Sequence, residues 1–252
     1  MLKVNSAACT DVPAVVLVGG MGTRLRSVLS STPKPLAPLG DTPFLELLLT
    51  QLRAQGILRL IMCTGYLANQ IEEQFGDGRK WGLTVRYSTE PRPMGTAGAI
   101  KLAERHLEAA SDFVVMNGDS FVEVDFDQLI RFHREHKAMV SLTIRRVSNA
   151  ARYGTVQVGK SNRITAFNEK TGVEEPALVN AGVYVFKRTV LQDIPDGPTS
   201  LEHDVFPNLL EQGVFAFEQN GMFIDIGTPE DYEQAQTLSG ALRQAASAGL
   251  RP

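Results

Sequence analysis

Residues 14–24 read AVVLVGGMGTR, a β-branched apolar run that breaks into glycines and ends on Thr23 and Arg24. A short apolar segment bounded by glycine has the pattern of a strand buried on both faces. Glycines directly after such a strand let backbone N–H groups approach an anion closely. Thr23 adds a hydroxyl and Arg24 a forked cation, both suited to phosphate oxygens. Two familiar phosphate loops fail on spacing. The dinucleotide loop needs a third glycine where Leu25 stands, and the Walker loop needs a Gly-Lys-Ser/Thr run that is absent. A tight turn without a ligand is the competing reading of the glycines alone.

Outward from that strand, apolar β-branched runs at 15–18, 58–63, 83–87 and 113–116 alternate with helical patterns at 43–55, 67–75, 97–108 and 128–136. That rhythm predicts βαβ units and a doubly wound, mostly parallel α/β sheet. Asp41 and Thr42 before Pro43, and Gly56 at the far end, supply start and stop chemistry for the second element. After residue 136 the pattern turns β-rich. Strands are expected at 140–146, around Val156, at 164–167 and at 179–186, with helices only at 201–210 and 230–237. No Pro/Ser/Gly-rich linker interrupts the chain, so residues 1–238 are expected to form one domain, with halves of about 14–136 and 137–238. The stretch 239–252 shows no firm apolar stripe and is expected to be a mobile tail.

Composition narrows the partners. The chain has 252 residues, 25 Lys and Arg against 28 Asp and Glu, and a formal charge of -3, which offers no basic face for nucleic acid. The apolar run before Gly19 is far shorter than the roughly 20 residues needed to cross a bilayer. Residues 1–9 lack the apolar centre of a signal peptide. Cys9 and Cys63 sit in no disulfide or zinc pattern. A cytoplasmic protein, without nucleic acid or membrane partners, is the expectation. Strand edges and apolar faces in the β-rich half leave room for a homodimer.

Ten residues beyond Arg24, Pro33 and Pro35 hold Lys34 in a stiff, non-helical segment, a useful placement for a cation near phosphates. The run from Gly19 through the 33–38 stretch PKPLAP resembles the G-x-G-T-R…P-K signature of nucleotidyltransferases that join a nucleoside triphosphate to a sugar 1-phosphate and release pyrophosphate. Further stretches follow in the family's order: EPRPMGTAG at 90–98, NGD at 117–119, YG at 153–154, FNEK at 167–170, NAGVY at 180–184, SLE at 200–202 and DIGTP at 225–229. Within the family, the set is most similar to D-glycero-α-D-manno-heptose 1-phosphate guanylyltransferases.

The resemblance implies a Rossmann-like α/β core with a small β-rich sugar-binding subdomain. Its implied partners are a nucleoside triphosphate, GTP on the closest likeness, and a sugar 1-phosphate, with the product destined for surface polysaccharide. It implies Mg²⁺ on Asp119 and Asp225, and catalytic roles for Arg24, Lys34, Asp119 and Asp225. Leu17, Gly19, Gly20, Gly22, Thr23, Gly95, Thr96 and Gly98 would border the nucleotide; Gly154, Glu169, Lys170 and Asn180 would hold the sugar phosphate. The chemistry agrees: bringing two phosphorylated reactants together demands charge neutralisation and in-line positioning, and no covalent intermediate.

Competing signals are weaker. Asp125-x-Asp127 matches the metal pair of glycosyltransferases, yet its place at a helix start favours capping. His106, His133, His136 and His203 show no ligand spacing, with His133 and His136 expected on a solvated or half-buried helical face. Arg145 and Arg146 read as surface charges. Tyr66, after Gly65, could line the nucleotide side or the core rim. A non-catalytic nucleotide-binding module remains the third reading.

Overall fold

The computed structural model describes residues 7–25, 28–29, 31–168, 172 and 174–248. The strands in chain order are β1 (Ala14–Leu17), β2 (Pro38–Leu39), β3 (Thr42–Pro43), β4 (Arg59–Thr64), β5 (Thr84–Thr89), β6 (Asp112–Asn117), β7 (Ser120–Val122), β8 (Val140–Val147), β9 (Thr155–Val158), β10 (Ile164–Asn168), β11 (Ala177–Lys187), β12 (Val214–Glu218) and β13 (Phe223–Asp225). The helices are α1 (Ala7–Thr10), α2 (Phe44–Ala54), α3 (Ala68–Phe75), α4 (Gly95–Leu102), α5 (Phe126–Glu135), α6 (Phe206–Gly213), α7 (Pro229–Thr237) and α8 (Ser239–Ala246).

Among the described residues the main sheet runs β10-β9-β11-β6-β1-β4-β5, with β8 paired to β11 and β12. Strands β5, β4, β1 and β6 are mutually parallel, and β11 is antiparallel to β6, β8 and β9. This is the mixed α/β sheet expected, and β11 carries it from the first half of the chain into the second. The alternation of β1 explains its central place. Ala14, Val16 and Val18 enter the core on one face, against α2 and α5, while Val15 enters the core on the other, against α4 and α6. Every one of these side chains is buried, and each buried Val contributes roughly 1.5–3 kcal/mol.

The topology also fixes where a ligand can sit. From β1 the chain moves outward through β4 and β5, then returns to place β6 on the other side of β1. The order reverses between β1 and β6, and loops leaving the carboxyl ends of two such strands diverge to leave a crevice. The glycine loop leaves β1 there and Gly118-Asp119 leaves β6.

Several local expectations need correction. Asp41 and Thr42 do not cap α2: Thr42 pairs with Leu39, Pro43 is the cap residue, and the Phe44 N–H is satisfied by the Ala37 carbonyl at 2.9 Å. The helix expected at 97–108 is α4, which starts at Gly95 and stops at Leu102. Its first turn is capped from afar, because the Thr199 carbonyl accepts from the Ala97 and Gly98 N–H groups. Past residue 238 an apolar stripe does exist. Leu242 and Ala246 of α8 are buried against the core, and Arg243 Nη2 donates to the Leu39 carbonyl at 2.6 Å.

His133 is buried, not solvated, with Nδ1 3.1 Å from Ser141 Oγ and Nε2 3.8 Å from Asp112 Oδ1. Burial pushes its pKa down to about 4, although the Asp112 carboxylate opposes the shift. Arg145 is likewise half-buried and donates to the Gly221 carbonyl. Asp125 caps α5 as expected, accepting from the Gln128 N–H at 3.0 Å.

Candidate active site

Two cavities open along the crevice and meet over the ends of β1 and β6. The first, about 430 Å³, is bordered by Leu17, Gly19, Gly20, Gly22, Thr23 and Arg24 from the glycine loop, and by Lys34, Glu90, Gly95, Thr96 and Asp119. Glycines make up much of its lining. A Cβ on Gly19 would lie 2.5 Å from Glu90 Oε1 and 3.1 Å from the Gly65 nitrogen, so only glycine lets the loop lie this close to β4. Gly95 has a φ of +70°, and a Cβ there would strike the Thr199 carbonyl at 2.5 Å. The Thr96 hydroxyl accepts from the Leu201 N–H at 2.8 Å and joins α4 to the second half of the chain.

Gly98 takes a different place. It does not border this cavity; it faces the Gly197 loop, where a Cβ would meet the Gly197 carbonyl at 2.3 Å. Residues three apart in a helix share a face, and Gly95 and Gly98 both pack on the 197–199 segment, Gly95 against Thr199 and Gly98 against Gly197. Tyr66 stands at the rim beside Met21 and Gly22.

The second cavity, about 310 Å³, is walled by the β-rich half. Gly154 and Asn180 border it, as do Arg152, Tyr153, Glu202 and His203. Asn180 is held rigidly. Its Nδ2 donates to the Tyr184 hydroxyl at 2.8 Å, and its Oδ1 accepts from the Gly182 N–H at 3.0 Å. Between those residues β11 bulges, and Gly182, at φ +80°, sits where a Cβ would meet Asn117 Nδ2 at 2.7 Å. The 180–184 stretch thus provides one side chain for the cavity, one glycine for a close approach and one buried tyrosine to anchor the amide. Glu169 and Lys170 lie outside the described residues.

Arg24, Asn117 and Gly227 border both cavities. At this junction Asp119 lines the first cavity and Asp225 the second. The short β13–β7 ladder sets Asp225 opposite Ser120, whose hydroxyl lies 3.0 Å from Asp225 Oδ2 and 3.3 Å from Asp119 Oδ1. The Ile226 N–H donates to the Asp119 carbonyl at 3.0 Å, which ties the two acidic segments together. Lys34 Nζ lies 2.6 Å from Asp119 Oδ2, with its side chain largely buried. Gly227 is required beside this pair, since a Cβ there would fall 2.5 Å from Asp225 Oδ1.

Burial and the neighbouring Asp119 charge raise the Asp225 pKa, against the opposing effects of Lys34 and the Ser120 hydroxyl. Two clustered carboxylates joined through the Ser120 hydroxyl, with one ammonium on Asp119, leave unbalanced negative charge. A hard divalent cation with oxygen ligands fits that donor set, completing its shell with water and phosphate oxygens.

Sequence reasoning placed Arg24, Lys34, Asp119 and Asp225 at one site, and the structure brings all four to the junction. It did not single out Ser120, Asn117, Arg152, His203 or Asp231. Asn117 and Arg152 stand inside or beside quoted motifs, and Asp231 follows the DIGTP stretch by two residues, where Thr228 caps the start of α7 by accepting from its N–H.

A glycine-built loop beside a polar second cavity, with paired carboxylates at their junction, is the arrangement of a nucleotide-dependent transferase. The chain belongs to the nucleotidyl transferase family, whose pattern matches residues 13–240. It is 41% identical over 229 residues to a mannose-1-phosphate guanylyltransferase of Mycobacterium tuberculosis, covering 89% of this chain and 64% of that relative. It is 38% identical over 225 residues to a D-glycero-alpha-D-manno-heptose 1-phosphate guanylyltransferase of Aneurinibacillus thermoaerophilus, covering 88% and 96%. Among solved structures, HddC from Yersinia pseudotuberculosis complexed with GMP-PN superposes with a TM-score of 0.79 at 32% identity, covering 90% of this chain and 98% of that one.

Proposed function

We propose that this chain transfers GMP from GTP to D-glycero-α-D-manno-heptose 1-phosphate, giving a GDP-sugar and pyrophosphate. The observation that carries the reading is the junction: two cavities adjoin, with Arg24 and Asn117 bordering both, which supports a nucleotide in one and a sugar in the other. A sugar phosphate oxygen attacks the α-phosphorus there, and the bond from that phosphorus to the pyrophosphate oxygen breaks.

The chain's own groups divide the work. The glycine loop offers N–H groups to the triphosphate, and Arg24 balances charge on both reactants where they meet. Lys34 orients Asp119 and adds a cation beside the departing phosphates. Asp119 and Asp225 would hold Mg²⁺, which neutralises phosphate oxygens when bound. Asn180 and the Gly154 backbone offer donors and acceptors to sugar hydroxyls, and resemblance assigns Glu169 and Lys170 to the sugar phosphate.

Glu90 supports guanine as the base. Its carboxylate borders the nucleotide cavity, with Oε2 accepting from the Met94 N–H at 2.8 Å. Two carboxylate oxygens match the adjacent N1–H and 2-amino donors of guanine, an edge that no other common base presents. Relatives using heptose and mannose phosphates point to a manno-configured sugar, and the 41% identity with the mycobacterial enzyme favours mannose 1-phosphate as the second reading. Among the described residues no helix is long and apolar enough to cross a membrane, and dependence on GTP suits a cytoplasmic reaction.

The test is pyrophosphate release with Mg²⁺, pairing each of GTP, ATP, UTP, CTP and dTTP with heptose, mannose and glucose 1-phosphates, with product mass as readout. GTP with the heptose phosphate is the expected best pair. Faster turnover with mannose 1-phosphate would replace the sugar, and no release with any pair would overturn the reading.

A further inference from the structure

The wall of the sugar cavity is made by two segments from distant parts of the chain. One is the β8–β9 connection carrying Arg152, Tyr153 and Gly154; the other is the turn from Asp225 through Thr228 into α7. A single guanidinium joins them. Arg152 Nη1 lies 2.5 Å from Asp231 Oδ2 and 3.2 Å from Thr228 Oγ1, while Nη2 lies 2.7 Å from Asp231 Oδ1. The pair is therefore a two-pronged fork on a carboxylate, the geometry in which arginine is not replaceable by lysine.

Both partners are set in advance. Asp231 is largely buried, and its Oδ2 also accepts from the Thr228 hydroxyl at 2.9 Å, while Thr228 caps α7 by accepting from the Asp231 N–H. Arg152 lies over the Tyr153 ring, 5.7 Å from its centroid, and that ring packs against Phe223 of β13 at 5.9 Å. The contacts run from the sugar wall to the strand that ends at Asp225. The same helix also reaches the Lys34 side of the crevice, because Tyr232 and Gln236 donate to the Pro38 carbonyl.

We infer that Arg152 and Asp231 form a latch that sets the width of the sugar cavity, making both of them positioning residues for the sugar 1-phosphate. The inference rests on the transfer reaction proposed above and adds a determinant of the acceptor site. Arg152 lines the cavity, but its fork is spent on Asp231. Its effect is to hold Tyr153 and Gly154 at a fixed distance from Asp225 and Gly227. The nucleotide cavity has neither residue in its lining. The latch thus predicts a split: acceptor binding depends on it and nucleotide binding does not.

The test uses the whole protein, with steady-state kinetics for each substrate at saturating levels of the other. Arg152→Ala should raise the KM for the sugar 1-phosphate about tenfold and leave the KM for GTP within about twofold. Arg152→Lys should fall between that variant and the unsubstituted protein, and carries the test if the alanine variant does not fold. Asp231→Asn should also raise the sugar KM, and the double variant should be no worse than Arg152→Ala alone.

The latch is overturned by an unchanged sugar KM, by both KM values rising together, or by effects that multiply in the double variant. A sugar KM that falls in Asp231→Asn would also do so, because an arginine freed from its partner would then be binding the phosphate itself. Absence of turnover in the unsubstituted protein with every substrate pair would instead count against the transfer reaction, which keeps the two failures apart.

Discussion

The two cavities are built in opposite ways. The nucleotide side is mainly one continuous segment, residues 17–24, whose glycines present backbone, with Lys34, Glu90 and Gly95 added around it. The sugar side is assembled from short pieces near residues 152, 167, 180, 202 and 225, and it presents side chains held by other side chains. A backbone cradle suits the invariant part of the reaction, because every triphosphate offers the same oxygens. Side chains suit the variable part, because hydroxyl patterns differ between sugars. A scaffold of this kind can change its acceptor without disturbing its phosphate chemistry.

The most severe way to break the comparison is at the junction, where both cavities depend on the same carboxylates. Asp225→Asn or Asp119→Asn should lower kcat by at least about a thousandfold in Mg²⁺-dependent pyrophosphate release. Retained activity would remove these residues from metal binding.

Next in size is a methyl group added to the backbone-built side. Gly95→Ala combines a φ of +70° with a 2.5 Å approach to the Thr199 carbonyl, which itself caps α4. It should cost about 2–3 kcal/mol in denaturant unfolding and raise the KM for GTP.

A third effect sits away from both cavities. The His133 pKa is pushed down to about 4 by burial, with Asp112 opposing and Arg134 and Lys187 assisting. In the unfolded chain the ordinary value is near 6.5. Below that value the unfolded state takes up the proton and the folded state does not, so the stability contributed by neutral His133 is present above pH 6.5 and is lost as pH falls toward 4. Unfolding free energy should decline with a slope of up to about 1.4 kcal/mol per pH unit across that window, and His133→Gln should flatten it.

The smallest effect separates the two metal readings. Asp125→Ala removes the cap of α5 and should cost about 1 kcal/mol with kcat unchanged. Loss of activity would restore Asp125-x-Asp127 as a metal pair.

The same contrast explains what the sequence made legible. The strand, glycine loop and Lys34 are local: apolar β-branched residues, glycines and prolines each restrict their own backbone, so their placement shows at short range. The paired carboxylates were legible as ordered motifs, although the Ser120 hydroxyl between them depends on the β13–β7 register. Gly98 packs on the Gly197 carbonyl outside the nucleotide-cavity lining, and a glycine needed for a neighbour's carbonyl looks like one needed for a ligand in sequence. The start of α2 was misassigned because the Ala37 carbonyl, not a side chain, satisfies Phe44. The stripe on α8 has only Leu242 and Ala246 buried, too few apolar positions to show as a period in an alanine-rich segment. The pairing of Arg152 with Asp231 spans 79 positions and has no local signal.

The most direct test of the junction is the configuration at the α-phosphorus, followed with a chiral GTPαS and the sugar 1-phosphate that gives turnover. Attack across two meeting cavities is a single in-line displacement and predicts inversion. Retention would mean two displacements through a nucleotidyl-enzyme intermediate, and would contradict direct transfer between the two bound substrates.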